Sequence, residues 1–338
     1  MKLAIVILNW NGSAMLRQYL PSVLEYSSGM DGIEVVVADN ASTDDSLTLL
    51  RSVFPTVQLC VLERNYGFAE GYNRALATIE SEYYLLLNSD VEVTEGWLTP
   101  LLSYMEAHLE VAVCQPKIRS LLHRSHLEFA GAAGGYMDAY GYPFCRGRMM
   151  DCVETDAGQY DTVAQIFWAT GAALLIRSAD YWQEGGLDAR FFAHQEEIDL
   201  CWRLQLRGRK IVCVPQSVVY HLGGGTLPKT NARKTYLNFR NNLLMLYKNL
   251  PDSRLSSVMR IRFVLDYLAA FSFLLRGHGR DFVAVIRARR NFRRTKDQFR
   301  QLEATTKHSL SGLYQGSLLY AYYLKRIKTF GRLFADKQ

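Results

Sequence analysis

The chain has 338 residues, 49% of them apolar and 21% charged, with a formal net charge of +6. That length and apolar content suit one large domain plus an appendage and exclude a disordered chain. Residues 252–338 hold 18 Lys/Arg against 6 Asp/Glu, so a basic tail follows an acidic body, a distribution that fits an anionic partner such as lipid, nucleic acid or a phosphorylated substrate.

In chain order, Lys2–Leu8 is a β-rich run, and Ser13–Tyr26 has helical spacing with Pro21 inside it, which predicts a kink or break. Strands are expected at Ile33–Ala38, Thr56–Leu62 and Tyr83–Leu87, and helices at Ser42–Phe54, Gly67–Ile79 and Gly96–His108. Ser42 or Thr43 is the expected cap of the second helix. Repeated βα units imply a mostly parallel sheet with helices on both faces, an α/β fold. Ala130–Tyr142, rich in Gly, Ala and Tyr, reads as a loop or flap, and Phe167–Ile176 as a strand in which Gly171 marks a bulge or a close backbone approach. Ile198–Arg207 is a helix ending at Gly208. Two short strands, Lys210–Val214 and Ser217–Tyr220, flank Pro215. Helices follow at Thr235–Leu250, Ser256–Arg276, Arg280–Thr306 and Ser311–Phe334. The expected division is a catalytic domain over 1–250 and a basic helical region over 251–338.

The N-terminal run MKLAIVILNWNG reads as a strand rather than a leader. No stretch reaches the roughly 20 apolar residues of a membrane span. The six cysteines form no CxxC pair and are expected to be reduced and structural. A cytoplasmic protein is expected, resting on the inner face of the plasma membrane. The run Arg287–Arg294 on a helix is expected to meet an anionic membrane surface, the competing role being self-association into a homo-oligomer. No nucleic-acid-binding motif accompanies the charge, so nucleic acid is not an expected partner.

Four polar constellations carry the chemistry. In VVVADNASTDDS a strand delivers Asp39 to its tip, where a carboxylate can accept hydrogen bonds from a nucleobase or ribose, or simply form a turn. In ERNYGFAEGYN, Arg64 and Asn65 follow a strand and Gly67 opens a helix whose first N–H groups would favour an anion, with Asn73 two turns on. There is no GxGxxG and no Walker loop. In YYLLLNSDV, an apolar strand runs into Asn88-Ser89-Asp90, where Asp90 can share a divalent cation with a diphosphate. His221, at a strand end before three glycines, is a candidate second metal ligand, and a nitrogen donor tilts the choice toward Mn²⁺ over Mg²⁺. In FFAHQEEIDLCWR, Glu196 and Glu197 precede a helix with an Asp199–Arg203 ion pair expected at i,i+4. A carboxylate there is a candidate general base toward an incoming hydroxyl. Upstream, Asp188 sits in a turn.

Together NWNG, VADNASTD, NYGFAEGYN, LLLNSDV, ATGAALLIR, GGLDARFF, EEIDLCWR, HLGGG and FRNNL resemble glycosyltransferase family 2, of the GT-A fold, and most closely its bacterial rhamnosyltransferase-like subgroup. The resemblance spans Lys2 to about Asn249. It implies an inverting glycosyltransferase that moves a sugar from a nucleoside-diphosphate sugar to a saccharide or lipid-linked saccharide acceptor in surface polysaccharide synthesis. It implies Mg²⁺ or Mn²⁺ held by Asp90 and His221. Asn9, Asp39, Arg64, Asn65, Gly67, Asn73, Asn88 and Asp90 would bind the donor. Asp188 would lie on the acceptor side, and Glu197, with Glu196 as second choice, would be the base. Two departures stand out: Asn88 replaces the first acid of Asp-x-Asp, and Glu197 replaces the usual Asp. The alternatives are a non-catalytic GT-A-like scaffold that binds nucleotide or partners in a polysaccharide assembly, and a nucleotidyltransferase, which would want a basic loop where Asn9-Trp10-Asn11-Gly12 has none.

Overall fold

The computed structural model describes residues 1–27, 29–223, 231–299 and 308–335. The first βα units are β1 (Leu3–Asn9), α1 (Ser13–Ser27), β2 (Ile33–Asp39), α2 (Ser46–Val53), β3 (Gln58–Val61), α3 (Gly67–Leu76), β4 (Tyr83–Leu87), β5 (Val91–Val93) and α4 (Leu98–Ala107). Next come β6 (Val111–Ser120), β7 (Gly135–Asp138), β8 (Pro143–Cys145), β9 (Arg148–Met149), β10 (Cys152–Val153), β11 (Ala164–Gln165), β12 (Ala173–Arg177), α5 (Ser178–Gln183), α6 (Glu196–Leu206) and β13 (Lys210–His221). The chain closes with α7 (Ala232–Asn249), α8 (Asp252–Leu275), α9 (Gly279–Thr295), β14 (Leu313–Tyr314) and α10 (Phe330–Ala335).

The main sheet runs β11-β13-β6-β12-β4-β1-β2-β3, with β5 on β13. β1 to β4 run parallel, as do β6 and β13, and β12 lies antiparallel between β4 and β6. The sheet is therefore mostly parallel, as the βα repeats implied. Its strands feed two cores because successive side chains point to opposite faces. Ala4, Val6, Tyr84 and Leu86 face one core with α3, α6 and α7, while Leu3, Ile5, Leu85 and Leu87 face the other with α1, α2 and α4. Each fully buried Val, Leu or Ile side chain among them stabilises the fold by about 1.5–3 kcal/mol.

Several boundaries differ from the sequence expectation. Helix α1 continues through Pro21 without a break. Helix α2 starts at Ser46 rather than Ser42, because Ser42 is drawn into tertiary hydrogen bonds with Asn9 and Asn11. The expected loop or flap at 130–142 is turn and irregular backbone around a short strand, β7, which belongs to a second sheet, ordered β10-β9-β8-β7-β14. Gly171 precedes β12 rather than bulging it. The two expected strands around Pro215 are one strand, β13, with a register shift between Val214 and Val218. Residues 311–334 are not one helix: β14 pairs with β7, and Leu318, Phe330 and Leu333 join the first core. Helix α9 ends at Thr295, and the last part of the helix expected to reach Thr306 lies outside the described residues. All six cysteines are free.

Candidate active site

Parallel register places the carboxyl ends of β1, β2 and β4 side by side, with Asn9 opposite Asp39. Open α/β sheets bind ligands at this edge. Asp39 is wholly buried, and both its oxygens are engaged within the chain: Oδ2 accepts from Asn9 Nδ2 (3.0 Å) and Oδ1 from the Ser42 amide (2.9 Å). Asn9 Oδ1, by contrast, is buried without a partner. A Cβ at Gly12 would lie 2.4 Å from that oxygen, so any larger residue there would have to displace the Asn9 amide. Asn40 staples the β2 and β3 loops. Its amide donates to the Gly67 carbonyl (3.0 Å) and its oxygen accepts from the Tyr66 amide (2.9 Å).

The start of α3 is not open to an anion. The Gly67 amide donates to Asn65 Oδ1 (2.8 Å), and the Phe68 and Ala69 amides donate to the Phe192 carbonyl (2.8 and 3.3 Å). Gly67 has φ +80°, and a Cβ would lie 2.6 Å from the Phe192 ring, so this position needs glycine. Its role is to dock the 192 turn against α3. Arg64 is exposed, with its guanidinium 4.9 Å over the Tyr66 ring. Asn73 does not face the site: it donates to the Leu187 carbonyl (2.7 Å) and accepts from the Tyr181 hydroxyl (2.6 Å) and the Leu187 amide (3.0 Å).

At the ends of β4 and β13, Asp90 Oδ1 lies 3.1 Å from His221 Nε2, and Asn88 Nδ2 lies 3.5 Å from the same nitrogen. His221 Nδ1 lies 3.7 Å from Glu128 Oε1, an ion-pair distance rather than a hydrogen bond. Burial alone would lower the pKa of His221, but the Asp90 and Glu128 carboxylates overcome it and raise it to about 10. Glu128 was missed by sequence reasoning, for it sits in HLEFAG, which carries no motif. Of the three glycines after His221, Gly223 is described and 224–225 lie outside the described residues. Among the described residues, no group of three or more His, Cys, Asp or Glu is arranged to hold a metal ion alone. The Asp90–His221 pair nonetheless fits a cation that draws its remaining ligands from a diphosphate: one oxygen and one nitrogen donor converge, and the buried Nδ1 has an acid behind it.

The third cluster precedes α6. Phe192, His194 and Gln195 all have positive φ (67°, 70° and 77°), although none is glycine. Such backbone costs about 1–2 kcal/mol per residue and needs support. Asn241 on α7 supplies it, donating through Nδ2 to the carbonyls of Phe191 (3.0 Å), Ala193 (2.8 Å) and His194 (2.7 Å). Asn242 donates to Gln195 Oε1 (3.1 Å) and accepts from Arg262. The turn delivers Glu196 and Glu197, whose Oε2 atoms are both shut off from solvent without a partner, as is His194 Nε2. Burial pushes the Glu197 carboxyl up to about 7. Burial and then the neighbouring Glu197 push Glu196 well above the usual range. His194 is pushed down to about 4 by burial and by Lys234.

The segment 169–172 borders both clusters: the Asn88 amide donates to the Ala172 carbonyl (3.0 Å), and the Ala169 amide meets Cys201 Sγ of α6 (3.5 Å). Asp188 stands apart. Arg190 (Nε to Oδ1, 2.7 Å) and Lys248 (Nζ to Oδ2, 2.8 Å) saturate its carboxylate and hold its pKa far below the usual range against the opposing effect of burial. It is thereby tied into the scaffold rather than open to an acceptor. The expected Asp199–Arg203 pair is present (2.9 Å) and fully buried.

A mostly parallel sheet with polar residues converging on its carboxyl edge and a paired acid before a late helix marks the GT-A class. Solved structures agree on the fold. S. aureus TarS 1–349 in complex with UDP-GlcNAc superposes with a TM-score of 0.56 at 17% identity, over 86% of this chain and 80% of that one. The Pyrobaculum calidifontis mannosyltransferase PcManGT, in complex with GDP-Man and Mn²⁺, gives 0.53 at 11% identity, over 90% and 77%. Residues 4–128 match the family model for glycosyl transferase family 2. Among its relatives is the N-acetylglucosaminyl-diphospho-decaprenol L-rhamnosyltransferase of Mycobacterium tuberculosis, 26% identical over 203 residues, which are 56% of this chain and 66% of the relative's length. Another is rhamnosyltransferase WbbL of Escherichia coli K12, 26% identical over 218 residues, 61% of this chain and 79% of the relative.

Proposed function

We propose that the chain is an inverting glycosyltransferase that moves a sugar from a nucleoside-diphosphate sugar to a saccharide or lipid-linked saccharide acceptor in surface polysaccharide synthesis. The relatives' names support the acceptor class, and the nucleotide sugars in the neighbouring structures support the donor class. The observation that carries the reading is Glu197: a carboxylate delivered by a braced, strained turn, lacking a partner on Oε2, with its pKa raised to about 7. A general base works best when its pKa lies near the operating pH.

In this reading Glu197 takes the proton of the acceptor hydroxyl. The acceptor oxygen attacks the anomeric carbon from the face opposite the diphosphate, the bond from that carbon to the diphosphate oxygen breaks, and the configuration inverts. Glu196, kept protonated by burial and by its neighbour, leaves a single negative charge on the pair. Asp90 and His221 would hold Mn²⁺ or Mg²⁺, which supplies positive charge for the leaving diphosphate. Asn9, with its partnerless Oδ1, and Asn88 lie at the strand ends where the donor would sit. Asp39 would shape the nucleoside pocket through Asn9 and Ser42. Arg64 and Asn65 would lie at the pocket rim.

A panel of UDP-, dTDP- and GDP-sugars, assayed for transfer with and without Mn²⁺, tests the reading. One donor class should give product of inverted configuration, and Glu197→Gln should lower its turnover by about 10²–10⁴-fold while a nucleotide-induced thermal shift persists. Near wild-type turnover in that variant would overturn the assignment of the base.

A further inference from the structure

Helix α8 is built inside out. Its buried positions are Val258, Arg262, Asp266 and Ala270, so an arginine and an aspartate face the protein. Asp266 bonds Arg262 (3.2 Å) and Arg289 of α9 (2.5 Å), closing an ion network with no exposed member. The opposite face carries Ile261, Val264, Leu268, Phe271 and Leu275, which are 38–73% exposed. These positions step by three and four, so at about 100° per residue they form one continuous stripe. A water-facing helix normally shows the reverse polarity, and an exposed apolar stripe of this kind marks an interaction surface.

Charge decides what covers it. Between residues 253 and 296 the chain has 11 Lys/Arg and only two acids, Asp266 and Asp281, of which Asp266 is wholly buried and Asp281 bonds Thr235. Arg260 and Arg276 flank the stripe at either end and are exposed. On α9, which packs beside α8, Arg287, Arg290 and Arg294 form an exposed row of their own. No helix among the described residues is long and apolar enough to cross a membrane. An apolar stripe rimmed by cations, with its acids sequestered, is complementary to the headgroup–acyl boundary of an anionic bilayer. A second copy of the same surface would bring these arginines against one another.

We infer that α8 lies in the plane of an anionic membrane, with the Ile261–Leu275 stripe immersed among acyl chains and the arginines of α8 and α9 on lipid phosphates. The sequence points to Arg287–Arg294 as the contact; the geometry makes that row the electrostatic rim and α8 the inserted element. The inference does not depend on which sugar the site transfers.

The test is flotation of the full chain with vesicles of phosphatidylcholine, alone or with phosphatidylglycerol. The protein should float with the anionic vesicles and be released by salt. Arg287→Gln/Arg290→Gln/Arg294→Gln should weaken partitioning about a hundredfold, at roughly fivefold per cation. Leu268→Ser/Phe271→Ser should weaken it at least about tenfold, with a thermal midpoint and nucleotide response like those of the wild type. Absence of flotation, or flotation indifferent to both variants, would overturn the inference. So would a dimer in sedimentation velocity that Leu268→Ser/Phe271→Ser dissolves. Neither result bears on sugar transfer, which is assayed separately with a soluble acceptor.

Discussion

Two polar regions meet at the carboxyl edge of the sheet, and they are built in opposite ways. In the loops after β2 and β3, Asp39, Asn40 and Asn65 spend their oxygens on neighbouring amides, and the first N–H groups of α3 are occupied as well. In the turn before α6 the division is reversed. The backbone carbonyls are held by Asn241, yet His194 Nε2 and the Oε2 atoms of Glu196 and Glu197 have no partner. Buried polar groups are nearly always satisfied, and one left open is stored free energy awaiting a ligand. The first region is closed on itself, and in the proposed reading the second is the reactive end.

Substituting the brace should break this contrast most sharply. Asn241→Ala takes the shared donor from the Ala193 and His194 carbonyls, while the Phe191 carbonyl keeps Arg240 (2.9 Å), and lets the strained turn relax; displacement of Glu197 by about 1 Å should cost roughly a hundredfold in turnover with little change in nucleotide binding. Full turnover would show that the turn holds itself. Next comes Glu128→Gln, which weakens the acid behind His221. Mn²⁺ affinity, read from the electron paramagnetic signal of the free ion, should fall about 10–100-fold, and unchanged affinity would reduce Glu128 to packing.

A change in pH sharpens the same comparison. The Glu197 carboxyl is raised from 4.5 to about 7, so the folded state holds its proton more tightly than the unfolded chain does. Turnover should therefore rise through an acid limb near pH 7. The stability linked to this group should be greatest below its ordinary pKa and be lost as pH rises through about 7. Glu197→Gln lacks the titration, so its melting temperature relative to wild type should climb over that window and level off above it. A flat difference would mean that Glu197 ionises as it does in water. The smallest functional effect belongs to the scaffold: Asn73→Ala should cost about 1–3 kcal/mol of stability and leave the turnover of folded protein unchanged. A selective loss of turnover would return Asn73 to the substrate side.

The strand ends were legible because buried parallel strands are unbroken apolar runs, and a polar residue after such a run marks the edge of the sheet. Tyr83–Leu87 and the residues after it are the clearest case. The start of α2 was not legible, since Ser42 and Thr43 are good local caps whose side chains are claimed by Asn9 and Asn11, more than 30 residues away in the chain. Asn73 and Asp188 looked available because nothing local shows that Tyr181, Leu187 and Lys248 will consume them. The support of the acid turn was hidden for the same reason: Asn241 lies 47 to 50 residues from the carbonyls it holds. Its only signal in the sequence was the Asn pair in FRNNL.

Strand β14 pairs with β7 in register Leu313↔Met137, and Leu318 and Phe330 fill the core beneath. The small sheet thus joins segments more than 170 residues apart. A ribosome that has already released every strand of the main sheet still withholds the one that finishes the smaller sheet. Long-range pairings of this kind form late, so an emerging polypeptide carries β7 with an open edge until Leu313 and Tyr314 have been translated.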